Sequence, residues 1–213
     1  MARRERERAE LSRLPAYHSA EVIEASSLSN PKIKYSHDPE EVNKLVKALV
    51  GPLGVDAEWK PQFIKGRKEN KIAVIQICDA KTVVVAQVSA MEGQLHRSIV
   101  TAAADIVFAT AIPEELKKVL QNPKVIKCGL NISGDGDKLY RDYGIVPKNL
   151  VELGRMASQA DPSLTYRPTL ASLVGHYLGR CLDKGNVRVS DWERKLTDAQ
   201  VRCELLCLCT RTP

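Results

Sequence analysis

Apolar positions along the chain repeat with two different periods, and the change of period marks out its elements. In "HDPEEVNKLVKALV" (37–50), Val42, Leu45, Val46 and Leu49 recur at helical spacing and form one apolar stripe. Asp38 is placed as the N-cap, Pro39 at the first helical position and Glu41 in the first turn, while Gly51 and Pro52 stop the helix. Ahead of it, "KIKYS" (32–36) reads as a first strand. The period then shortens to strand spacing over Leu53 to Glu58, "KIAVIQIC" (71–78) and "TVVVAQV" (82–88). The last two are dense in β-branched residues and are split by "DAK", a hairpin-like turn. The basic, glycine-containing "QFIKGRKEN" (62–70) reads as an exposed loop. Beyond it, "IPEELKKVLQNP" (112–123) predicts a short helix and "KVIKCGL" (124–130) a further strand. "DGDKLYRDYG" is helical up to Gly144, and "NLVELGRMASQ" (149–159) is read as helical too. "TLASLVGHYLG" (169–179) is a strongly amphipathic helix, and "TDAQVRCELL" (197–206) opens another. Antiparallel strands followed by strands alternating with helices predict an α/β or α+β domain, its mixed sheet covered by helices. Residues 1–30 keep no steady period and are expected to be a poorly ordered lead-in; no repeat or linker divides the rest.

Composition narrows the class of function. A chain of 213 residues, 44% hydrophobic and 27% charged, matches a soluble globular protein with a real core. The net charge of +6 favours an anionic partner such as nucleic acid. "MARRERERAELSRL" carries basic residues with no apolar stretch behind them, so no secretory signal is expected. The longest apolar run, 99–112, is interrupted by Asp105 and too short to cross a bilayer. An intracellular protein of nucleus or cytoplasm, not bound to a membrane, is expected. Its six cysteines are expected to be thiols.

The chemistry begins at "GVDAEW". On a strand, residues i and i+2 share a face, so Asp56 and Glu58 would present their carboxylates side by side with Ala57 directed away. Like charges that close raise each other's pKa unless a cation lies between them. Oxygen-only ligands suit Mg²⁺ or Mn²⁺. The competing reading is a solvated pair at a strand end, and for an isolated tripeptide that reading is the commoner one. A third acid shifts the balance. Asp135 falls at the start of a helix that follows a buried-looking strand, where the positive helix end favours a carboxylate. Asp137 and Asp142 are read as ordinary helix-surface charges. Gly129, Gly134 and Gly136 lack dinucleotide-fingerprint spacing.

Taken in order, "GVDAEW", "KIAVIQIC", "KCGLNISGDGDKLYRDYGI" and "VSDWERKLTDAQ" resemble the DEDD-type 3′–5′ exonuclease domain, nearest the Werner helicase exonuclease branch, with RNase D further off. The resemblance covers roughly residues 33–202 and implies a domain over 31–203. The fold it implies is RNase H-like, a mixed five-stranded sheet with helices on both faces. It also implies two divalent ions about 4 Å apart at the scissile phosphate. Asp56 would bridge both, Glu58 would help hold the ion carrying the attacking water, and Asp135 would anchor the other. The product would be a nucleoside 5′-monophosphate cut from a DNA or RNA 3′ end. Trp59 and Lys60 could stack a base and contact a phosphate; a core role for Trp59 is an equal alternative.

The resemblance fails at two points. The family's third motif, Tyr-x-x-x-Asp, should follow the "LTDAQ" phrase, but Cys203 and Cys207 stand at its two positions and no Asp follows Asp198. A thiol does not copy a phenol, and sulfur does not suit Mg²⁺. Impaired catalysis is therefore expected, with an inactive nucleic-acid- or protein-binding module as the alternative. The second departure is 92–111, about twenty residues that the family pattern lacks. Abrupt loss of likeness beside intact flanks reads as a gene-model or splice artefact at both points; a transcript encoding these residues as written would overturn that. The tail 204–213, with Cys207 and Cys209 beside Cys203, has no standard zinc spacing, and His176 is its one plausible further ligand.

Overall fold

In the computed structural model the β-branched runs become the centre of a sheet. Residues 31–91, 112–179 and 186–202 are described, together with 16–17 and 181–182. The strands are β1 (Ala16–Tyr17), β2 (Lys32–Ser36), β3 (Leu53–Glu58), β4 (Val74–Cys78), β5 (Thr82–Ala86), β6 (Lys127–Gly129), β7 (Leu150–Glu152) and β8 (Cys181–Leu182). The helices are α1 (Pro39–Lys47), α2 (Glu114–Gln121), α3 (Ile132–Tyr143), α4 (Leu153–Ala160), α5 (Leu170–Leu178) and α6 (Asp198–Arg202). Six strands form the main sheet in the order β2-β5-β4-β3-β6-β7, and β1 pairs with β8 separately. β4 runs antiparallel to β3 and β5, whereas β2, β6 and β7 run parallel to their neighbours.

Strand alternation divides the interior into two faces. Val55, Ala57, Ile75, Ile77, Val84 and Ala86 face a core closed by Val42 and Val46 of α1, Leu116 and Leu120 of α2, and Ile132 and Leu139 of α3. On the other face Val74, Cys78, Val83 and Val85 pack on Trp192 and Leu196. Farther along it, Cys128 meets Leu153 and Ala157 of α4 and Leu173 and Val174 of α5. Buried on both sides, β4 and β5 are apolar except for Gln76 and Thr82.

The local signals hold where the chain punctuates itself. Asp38 caps α1 by accepting from the Glu40 N–H, with Pro39 in the first turn. α3 ends at Gly144, whose φ of 66° is the left-handed cap that glycine adopts without penalty. The "DAK" hairpin is closed by Asp79, whose Oδ1 accepts from the N–H groups of Lys81 and Thr82, each at 2.8 Å.

The structure differs from the sequence reading at several points. Leu150, Val151 and Glu152 pair with β6 as a sixth strand before α4 begins, so 149–159 is not all helix. A left-handed Asn149 (φ 56°) turns the chain onto the free edge of β6, and that edge decides the local structure. Strand β5 stops at Ala86, and a helical turn follows over 88–91. The Asp142 side chain, read as a surface charge, is only 6% exposed. The lead-in over 1–30 (except 16–17), the additional segment 92–111 and the tail from Cys203 lie outside the described residues.

Candidate active site

The acidic pair follows from the pleat of β3. With Leu53, Val55 and Ala57 turned into the first core, Asp56 and Glu58 emerge on the opposite face. There they lie opposite Gln76 and Val74 of β4, half-buried. That face is filled by the Trp192 cluster on one side and the α4–α5 cluster on the other, leaving the two carboxylates on the strand between them.

Asp135 follows β6, the parallel neighbour of β3. β6 is parallel to β3, with Leu53 opposite Lys127 and Gly54 opposite Cys128, which brings Gly129 level with Val55. A Cβ on Gly129 would stand 2.6 Å from the Val55 carbonyl oxygen, so only glycine permits this approach. The chain turns at Asn131 (φ 61°) into α3, which packs against β3. The Glu152 carboxylate accepts from the N–H groups of Asn131 (2.8 Å) and Ile132 (3.1 Å), closing the helix start from β7. Asp135 sits in that first turn, buried at 6% exposure, where the positive end of the helix favours a negative charge. Among the described residues, no three His, Cys, Asp or Glu side chains gather into a group that could hold a metal ion.

A buried lysine one turn beyond Asp135 links the parts. Lys138, 2% exposed, pairs with Asp142 at 2.9 Å and Glu69 at 3.3 Å, and donates to the Asn70 carbonyl at 2.7 Å. Its ammonium stands 4.7 Å from the centre of the Trp59 ring, whose Nε1–H donates to Glu69. Asp142 in turn accepts from the Ile72 N–H at 2.9 Å, ahead of β4. Trp59 therefore packs beside the first core with one face against a cation. Lys60 pairs with Asp191 at 2.7 Å and lies 4.0 Å from Glu193, tying the end of β3 to the segment that carries Trp192. That lysine holds the Asp191 carboxyl below the ordinary carboxylate range.

Sequence reasoning passed over Lys138, Asp142 and Glu152. The i,i+4 spacing of Lys138 and Asp142 was the available signal for the first two; nothing local points to Glu152, whose partners are twenty residues away or more. Asp137 is exposed, as read. The His176 Nε2–H donates to the Asp161 carboxylate at 2.8 Å. Cys78 and Cys128 are buried thiols.

The sheet order, with β4 antiparallel between β3 and β5 and with β6 and β7 parallel to β3, is that of an RNase H-like fold. A 3′–5′ exonuclease family model matches residues 32–204, and the chain belongs to that family. It is 30% identical over 176 residues to a 3′–5′ exonuclease of Arabidopsis thaliana, covering 76% of this chain and 54% of that protein. It is 33% identical over 152 residues to the bifunctional 3′–5′ exonuclease/ATP-dependent helicase WRN of Mus musculus, covering 70% of this chain and 9% of that one. The chain thus spans about half the length of the first relative and a small part of the second. Among solved structures, Trypanosoma brucei RNase D in complex with RNA U12 superposes with a TM-score of 0.62 at 16% identity, over 89% of this chain and 63% of that one. Escherichia coli RNase D, an exoribonuclease involved in structured RNA processing, gives 0.59 at 20% identity, over 83% and 42%. These two likenesses establish the fold.

Proposed function

We propose that the chain is a metal-dependent 3′–5′ exonuclease on nucleic acid, releasing nucleoside 5′-monophosphates, with activity impaired by the substituted third motif. The observation that supports the reading is the parallel pairing of β3, which carries Asp56 and Glu58, with β6, which leads into the helix that carries Asp135. Their donor chemistry fits the implied metal: all three are carboxylates, hard oxygen ligands suited to Mg²⁺ or Mn²⁺. Divalent ions bound there would neutralise phosphate charge and make water a stronger nucleophile. Asp56 and Glu58 would hold them from β3, and Asp135 from the start of α3.

Trp59 and Lys60 are proposed to border the substrate. Lys60 keeps 42% of its side chain exposed beside Asp191, and a phosphate would compete with that carboxylate for it. The second reading is a nucleic-acid-binding module without catalysis, favoured by the thiol at Cys203 and by the absence of a gathered metal group among the described residues.

Digestion of a 5′-labelled single strand with Mn²⁺, Mg²⁺ or chelator, comparing the chain with Asp56→Ala, separates the two. A slow, metal-dependent ladder of shortened products that disappears in the variant is expected. Binding without a ladder would replace the exonuclease by the binding module.

A further inference from the structure

The loop that joins β3 to β4 exposes what a soluble surface normally hides. Phe63 is 81% exposed and Ile64 54%, directly before Lys65, Arg67 and Lys68. Among the described residues none of these three cations forms an ion pair; the loop's acid, Glu69, faces Lys138 and Arg141 instead. The tip is built rather than loose. The Arg67 N–H donates to the Ile64 carbonyl at 3.2 Å, and Gly66, with φ 82°, supplies the left-handed residue that a type II turn requires at its third position. The base is clamped: Asn70 Nδ2–H donates to the Lys60 carbonyl at 2.8 Å, Trp59 donates to Glu69, and Lys138 donates to the Asn70 carbonyl. A rigid stem therefore holds an aromatic ring and three cations just past Glu58.

We propose that loop 61–68 docks single-stranded nucleic acid on its way to the acidic strand, with Phe63 stacking on a base and Lys65, Arg67 and Lys68 holding the flanking phosphates. A solvent-facing aromatic among unpaired cations matches the two elements of a single strand, unstacked bases and a charged backbone. Duplex offers the phosphates but encloses the base faces, so the Phe63 contribution belongs to unpaired strand. The inference rests on the reading of Asp56 and its neighbours as a strand-cutting site, and it adds how the strand is held.

The test is fluorescence anisotropy with a short 5′-fluorescein-labelled oligothymidylate in chelator, where no cutting occurs, across a salt series. Three proteins are compared: the chain itself, Phe63→Ala, and the triple Lys65→Gln, Arg67→Gln, Lys68→Gln. Phe63→Ala is expected to bind about 5- to 100-fold more weakly with an unchanged salt slope. The triple variant is expected to lose about 2 units from that slope. All the altered side chains are exposed, and thermal melting checks that each variant stays folded. Wild-type affinity and slope in both variants would overturn the proposal and leave the loop to a protein partner. The Mn²⁺ digestion of the unaltered chain is scored separately. Loop-dependent binding without digestion removes the exonuclease reading and keeps the loop; digestion with loop-independent binding does the reverse.

Discussion

Lys127 is wholly buried at the start of β6, and its ammonium donates to the Asn122 carbonyl, with no carboxylate among the described residues to balance it. Burial pulls its pKa from 10.5 down to about 8. The folded state therefore releases this proton before the unfolded chain does. Between about pH 8 and 10.5 the unfolded chain binds more protons, and stability rises with pH across that window. Below it the whole cost, of order 3 kcal/mol, weighs on the fold. Lys127→Met should stabilise the protein at neutral pH by about 1–2 kcal/mol, the lost hydrogen bond offsetting part of the gain. It should also flatten the alkaline rise. Urea unfolding on either side of pH 8 checks both; an unchanged rise would assign it to another group. Lys138 is the opposite case, a buried cation with carboxylates on two sides. Lys138→Met strands Asp142 in the interior and should cost about 3–5 kcal/mol. Replacing both partners, as Lys138→Met with Asp142→Leu, should cost less than the two single changes together. Additive losses in a double-mutant cycle would mean the pair is not coupled.

At the scale of elements, the site depends on how closely β6 lies against β3. Gly129 sets that separation, because a methyl group there meets backbone rather than a movable side chain. Gly129→Ala should cost about 1–3 kcal/mol. It should also shift β6, and with it the start of α3, relative to Asp56. Calorimetry gives the first quantity. An unchanged melting temperature would show that the strands can part without penalty. The β7–α3 contact through Glu152 works at the same scale: an edge strand supplies the N-terminal cap of the helix carrying Asp135. That explains why "LVE" is a strand although its neighbours favour helix. Its stabilisation comes from the open edge of β6 and from a helix start that needs an acceptor.

For the molecule as a whole, the question is what Cys203 and Cys207 do at the two positions where the resemblance implies Tyr and Asp. A positioned acid–base group contributes typically about 10²–10⁴-fold in rate. Cys203→Tyr combined with Cys207→Asp should therefore raise the rate of Mn²⁺-dependent shortening by about 10²-fold or more. An unchanged rate would mean that this segment does not complete the site. The Lys60–Asp191 and Gln87–Trp192 contacts tie the segment leading to it against β3 and β5.

The fold class, most strand and helix positions and the three candidate acids could be read from the chain alone. Each rests on a local rule: β-branched runs for β4 and β5, the Asp38–Pro39 start and Gly144 stop for helices, and i,i+2 alternation for Asp56 and Glu58. Asp135 was legible from its place at a helix start after a strand, and the likeness of four segments to one family supplied their order. The sixth strand, the burial of Lys127, Lys138 and Asp142, and the capping of α3 by Glu152 depended on tertiary structure. In each, the deciding partner is distant in sequence or is the low dielectric of the interior. No window of neighbouring residues encodes either, and only the folded sheet brings them together.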